Sequence, residues 1–226
     1  HGGNAGIFVG EGAGGNGTVT IAQGSSLRSQ GGGQNVRIGD DAGGIGFVSV
    51  AGELLNFKFM EVINGTLEML PTGINNKFNE VNPSWVGANG ILSFVIDGAE
   101  VGALERANGN GLQLTLETGA TLKIALEGSF AINDSWTLIS YSSLAGEFAQ
   151  GTEFTNEQGY TFDVDYGTGT LSEVILTLTS DEERPQVASF AATPPSSAAG
   201  AVVQLQWEVS NFDTLSIDQG VGDVTD

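Results

Sequence analysis

Carboxylates are the one reactive side-chain class this chain carries in quantity: 27 Asp and Glu stand beside seven Lys and Arg, one His and no Cys. Asp163 and Asp165 lie two residues apart on a predicted strand, hence on one side at about 7 Å. Paired carboxyls at such a distance can do acid and base chemistry on glycosides. Tyr166, Gly167 and Gly169 follow as a strand running into a turn, so a solvent-facing acidic pair is the plainer reading. Glu11, Asp40 and Asp41 sit in glycine-rich turns. If stacked coils bring Glu11 near Asp40, these are hard oxygen ligands suited to calcium. The calcium nonapeptide GGxGxDxUx needs Asp where Val19 and Val48 stand, so that motif fails, and a solvated acidic corner is the alternative. His1 has no second histidine to join it in a copper, triad or zinc-hydrolase site.

Aromatic side chains supply the other candidate chemistry, since flat rings stack on sugar faces. Trp85, Trp136, Tyr141 and Tyr160 are the residues that could form such a platform. Trp136 lies in an alternating strand and is expected in the core. Trp85 follows Asn82-Pro83-Ser84, reads as part of an irregular loop, and is the candidate ligand-binding residue. Asn16-Gly17-Thr18, Asn64-Gly65-Thr66 and Asn133-Asp134-Ser135 match the glycosylation triplet but read as turns.

These residues must be held by a fold that the composition bounds. The net charge of −20 repels nucleic acid and anionic headgroups, so nucleic acid is excluded as a partner. No apolar run approaches the roughly 20 residues of a membrane helix, and direct membrane insertion is not expected. No basic start with an apolar stretch follows His1, so any export signal is expected outside this segment. The absence of cysteine permits an oxidising, extracellular setting. With 40% hydrophobic residues over 226 positions, the chain can bury a sizeable core.

The organising feature is an internal repeat. Residues 9–22, VGEGAGGNGTVTIA, and 38–51, IGDDAGGIGFVSVA, align at a shift of 29. Val9 falls on Ile38, Gly10 on Gly39, Ala13 on Ala42, Gly17 on Gly46 and Val19 on Val48. Each unit reads as a short strand, a glycine-rich turn and a second, alternating strand. A degenerate third copy is expected at Met60 to Leu70. One unit cannot cover its own apolar side, so copies must stack strand on equivalent strand, with glycine at corners too tight for a Cβ.

This pattern resembles the repeats of autotransporter-type bacterial surface proteins. The resemblance implies a right-handed parallel β-helix passenger. It extends through 91–178, where Leu92-Ser93-Phe94, Leu112-Gln113-Leu114, Ala120 to Ile124, Trp136 to Ile139, Gly146-Glu147-Phe148, Phe162 to Tyr166 and Val174 to Leu178 resemble a passenger's closing segment. Asp181 to Pro185 then reads as a linker. Beyond it, Val187 to Pro194 and Ala199 to Val209 are similar to the first strands of bacterial Ig-like domains, with Trp207 as core aromatic. Such sandwiches need about 100 residues, so the chain reads as an excerpt of a longer protein.

The sequence therefore predicts an all-β chain: a β-helix repeat stack with its closing segment over 1–180, a linker over 181–186, and the N-terminal part of an Ig-like β-sandwich over 187–226. The function expected is a non-catalytic structural or adhesive segment of a large exported bacterial cell-surface protein, outside the cell. Expected partners are other copies or modules of that protein and glycans, with self-association through open Ig-like strands. The alternative is an extracellular glycan-binding module or an accessory region of a polysaccharide-degrading enzyme.

Overall fold

A computed structural model describes residues 6–28, 34–55, 57–78, 84–106, 112–168, 172–181, 186–193, 203–210, 216–217 and 222–223. Among them there are strands and turns but no α-helix. The first two repeats give β1 (Ile7–Val9), β2 (Asn16–Ile21) and β3 (Ser26–Arg28), then β4 (Val36–Ile38), β5 (Ile45–Val50) and β6 (Glu53–Leu55). β1 pairs β4 and β2 pairs β5, both parallel, as Ile7 to Val36 and Asn16 to Ile45. Both pairings carry the 29-residue shift of the repeat. Coil therefore lies on coil, and the result is a parallel β-solenoid of about four turns.

The coil continues with β7 (Met60–Met69) and β8 (Ile74–Phe78), and then β9 (Ser84–Asp97), β10 (Glu100–Val101) and β11 (Ala103–Arg106). The expected third copy is there, but its corner has shrunk. Ile38 pairs Val62 and Gly46 pairs Gly65, so two residues of β7 stand opposite the seven from Gly39 to Ile45. β7 and β9 can thus run as single long strands around a bend where the first two coils use a loop. β12 (Gln113–Leu116), β13 (Thr121–Glu127) and β14 (Ser135–Tyr141) form the last full set.

Alternation in each strand sends every second side chain inward, where it meets its equivalent from the next coil. Val9, Ile38, Val62, Val86 and Leu116 make one such column and are all buried. Val48, Leu67, Leu92 and Leu122 make another. At the bend between these faces stand Gly17, Gly46, Gly65 and Gly90, neighbours in one ladder. A Cβ on Gly46 would lie 2.4 Å from Val9 O, and one on Gly90 would lie 2.2 Å from Val62 O. Only hydrogen at this position lets the corner close.

Parallel growth stops differently on each face. On the third face β14 has β11 as parallel neighbour on one side and β18 (Ser172–Ser180) antiparallel on the other. β17 (Thr161–Asp165) and β16 (Glu153–Thr155) continue that antiparallel run. On the first face β15 (Ser143–Ala145) adds a last parallel rung to β12. Gly146-Glu147-Phe148 lies outside the strands, and its Phe148 is buried.

Further on, β19 (Gln186–Thr193) and β20 (Gln204–Ser210) form an antiparallel pair, and β21 (Ser216–Ile217) pairs β22 (Gly222–Asp223). Trp207 stands opposite Phe190; it is half-buried and Phe190 is 60% exposed, so Trp207 is not the buried core aromatic expected of it. Of the expected linker, 182–185 lies outside the described residues, as does His1.

Candidate functional site

The second face ends at β13, whose outer edge would otherwise present bare peptide groups, a liability for any sheet. Amide side chains cover it. Gln150 accepts from Leu122 N at 3.1 Å and donates to Leu122 O at 2.8 Å. Gln158 accepts from Leu126 N at 2.7 Å and donates to Leu126 O at 2.9 Å. Between them Asn156, buried, donates to Ile124 O at 3.1 Å. Each glutamine thus reproduces the donor and acceptor of a neighbouring strand's peptide, at alternate residues whose backbone faces away from β9.

Asn156 is itself held in place. Its Oδ1 accepts from Gln158 N and Tyr160 N, both at 3.0 Å, and its Nδ2 also donates to Gln158 Oε1. Phe154 packs against Phe162 with ring centroids 5.5 Å apart. Tyr166 braces the start of this chain segment: Phe148 N donates to its hydroxyl, which donates to Gly151 O at 2.9 Å. Burial pushes the Tyr166 phenol up, against the opposing pull of the Phe148 N–H. Between the segment from Gln150 to Gln158 and the outward side of β9 and β13 lies a half-open cleft of about 290 Å³. Lys123 and Glu157 both line it, with their charged atoms 3.8 Å apart.

The residues singled out for calcium are arranged otherwise. Asp40, 8% exposed, accepts from Gly44 N at 2.8 Å and Ala42 N at 3.0 Å through Oδ1, and from Gly12 N of the preceding coil through Oδ2. Those N–H groups, Gly12 foremost, hold its carboxyl below the usual carboxylate value. Its oxygens are engaged as a staple between two corners, while Glu11 and Asp41 are exposed. Among the described residues no group of three His, Cys, Asp or Glu gathers to hold a metal ion. The expected ligand set of Glu11, Asp40 and Asp41 is therefore not assembled.

Trp85 is corrected in place as well. It belongs to β9 and is half-buried, facing out between Glu61 and Thr115. The strand reaches back to Ser84 because that inward hydroxyl accepts from Met60 N at 3.0 Å, so a polar residue can continue the buried column. Beside it Arg37 Nε lies 3.4 Å from Glu61 Oε2, an ion pair without the alignment of a hydrogen bond. Trp136, donating to Gly98 O at 3.0 Å, and Tyr141 are buried, which removes both from any aromatic platform. Asp163 and Asp165 do share an exposed side of β17; Asp163 stands opposite Glu153, and Asp165 accepts from Gly167 N.

The edge-covering amides were not legible as a site, although their separations of 28 and 32 residues from Leu122, Ile124 and Leu126 are close to one coil. The chain matches no family model, no curated protein and no solved structure.

Proposed function

We propose that this chain is a non-catalytic structural or adhesive segment of a large exported bacterial cell-surface protein. The observation that supports it is the coil stack itself: a solenoid buries a continuous core while every coil adds length, which suits a stalk. One outward ladder adds to this. Thr20, Ser49, Glu68, Ser93 and Lys123 follow one another along the second face, polar throughout. With 27 acidic residues against seven basic ones, a surface of this kind resists collapse onto other anionic surfaces.

In this reading the stack is a right-handed β-helix of the autotransporter type. The antiparallel run from β14 to β16 serves as its closing segment, and β19 with β20 opens an Ig-like module. The alternative, a glycan-binding module or an accessory region of a polysaccharide-degrading enzyme, needs a row of exposed aromatics. Trp85, Trp136, Tyr141 and Tyr160 do not supply one. The test is antibody labelling of intact source cells: staining without permeabilisation is expected, and staining only after permeabilisation refutes the surface assignment.

A further inference from the structure

The half-open cleft beside the edge-covering segment is a feature that the stalk role does not use. We propose that it binds a neutral sugar residue. Its floor is formed by the outward side chains of Ser93, Thr121 and Lys123, with half-buried Phe154 beside them and the exposed Glu157 and Gln158 at its rim. A volume of about 290 Å³ is at the small end of ligand clefts, suited to about one pyranose ring.

A sugar ring presents an apolar C–H face and a rim of hydroxyls, each both donor and acceptor. The cavity holds the complement of each. Phe154, braced on Phe162, supplies a flat apolar surface. Gln150 keeps one N–H and one lone pair beyond its bonds to Leu122, and Gln158 keeps one N–H beyond its bonds to Leu126 and Asn156. The Ser93 and Thr121 hydroxyls add acceptors on the floor. Because β13 already fixes both glutamines, little side-chain freedom is lost on binding. Asn156 has both amide hydrogens and both lone pairs engaged, so it braces the wall rather than touching a ligand.

Charge selects among sugars. Lys123 lies 3.8 Å from Glu157, too far for a hydrogen bond, so its N–H donors are open to a sugar hydroxyl, while the neutral pair on a strongly negative chain gives an anionic sugar no net attraction. Such a cleft takes a single sugar residue and needs no row of exposed aromatics, unlike a glycan-binding platform; it is independent of the stalk role, and failure of surface labelling would leave it intact.

The test is an NMR titration of the isotope-labelled chain with glucose, galactose, mannose and N-acetylglucosamine, with glucuronate as the anionic comparison. At least one neutral sugar is expected to shift resonances of Ser93, Lys123, Phe154 and Gln158, with glucuronate weaker by about tenfold. Lys123→Ala and Phe154→Leu should each weaken that sugar by about tenfold, and Thr18→Ala, on a distant coil, should leave it unchanged. Lys123 is 53% exposed, so its variant keeps the fold and decides the matter alone if Phe154→Leu unfolds. The proposal is overturned if no neutral sugar moves these resonances, if the shifts fall elsewhere, or if Lys123→Ala binds as tightly as the parent.

Discussion

Gly46→Ala probes the corner on which coil stacking turns. Gly46 is not among the glycines with positive φ, so alanine there meets no backbone penalty, only crowding. Its Cβ would lie 2.4 Å from Val9 O, 2.6 Å from Gly39 N and 2.7 Å from Ile38 Cγ2. Ordinary contact needs about 3.5 Å, so two coils must part by about 1 Å against a core packed at crystal density. Overpacking costs about 1–3 kcal/mol, and obstruction by backbone rather than a mobile side chain places Gly46→Ala near the top of that range. For a chain of this size about 3 kcal/mol lowers Tm by roughly 6–12 °C. Gly43→Ala is the matched control, with φ of 96° but no atom within 4 Å. It bears only the left-handed penalty of about 1–2 kcal/mol, or roughly 2–8 °C. Thermal unfolding followed by circular dichroism compares the two, and a Gly46→Ala chain as stable as Gly43→Ala would show that the corner tolerates a Cβ.

Two further outcomes follow from the polar contacts. Asp40 is held below its ordinary value of 3.8 when folded, so the unfolded chain takes up the proton first. The stability this carboxylate adds is therefore full above that value and is lost as pH falls through the lower folded pKa. Asp40→Asn should lower Tm at neutral pH, with the gap to the parent narrowing below about pH 3.8 in paired melts; a gap independent of pH would contradict the staple. Replacing Gln150 and Gln158 together by alanine bares the β13 edge and should produce self-association in light scattering, whereas a variant that stays as dispersed as the parent shows that the amides are not what protects that edge.

The repeat was the most legible part of the chain because its shift of 29 survives as a literal ladder, pair by pair, from Asn16 and Ile45 to Ile21 and Val50. Alternation likewise placed Trp136 inward. The third coil was harder to read because losing its corner loop changes the shift to 24 and then 19, with only Asn64-Gly65 left to mark the bend. Trp85 was misplaced because Asn82-Pro83 signals a turn, while the hydrogen bond that lets Ser84 resume the strand comes from Met60, a coil away. Asp40 shows the same difficulty. A carboxylate among glycines offers oxygens to a cation or to N–H groups alike, and Gly12, 28 residues earlier, decides between them.

Coils lie directly upon one another, and the cysteine-free chain allows that to be read with engineered cysteines. Thr18 pairs Phe47, and Phe47 pairs Thr66. Adjacent strands sit about 4.8 Å apart, within the reach of a disulfide, while two rungs span about 9.6 Å, beyond it. Under mild oxidation, with the bridge assigned by mass spectrometry, Thr18→Cys with Phe47→Cys should cross-link within one chain and Thr18→Cys with Thr66→Cys should not. Failure of the first pair, or equal bridging by both, would contradict the stack.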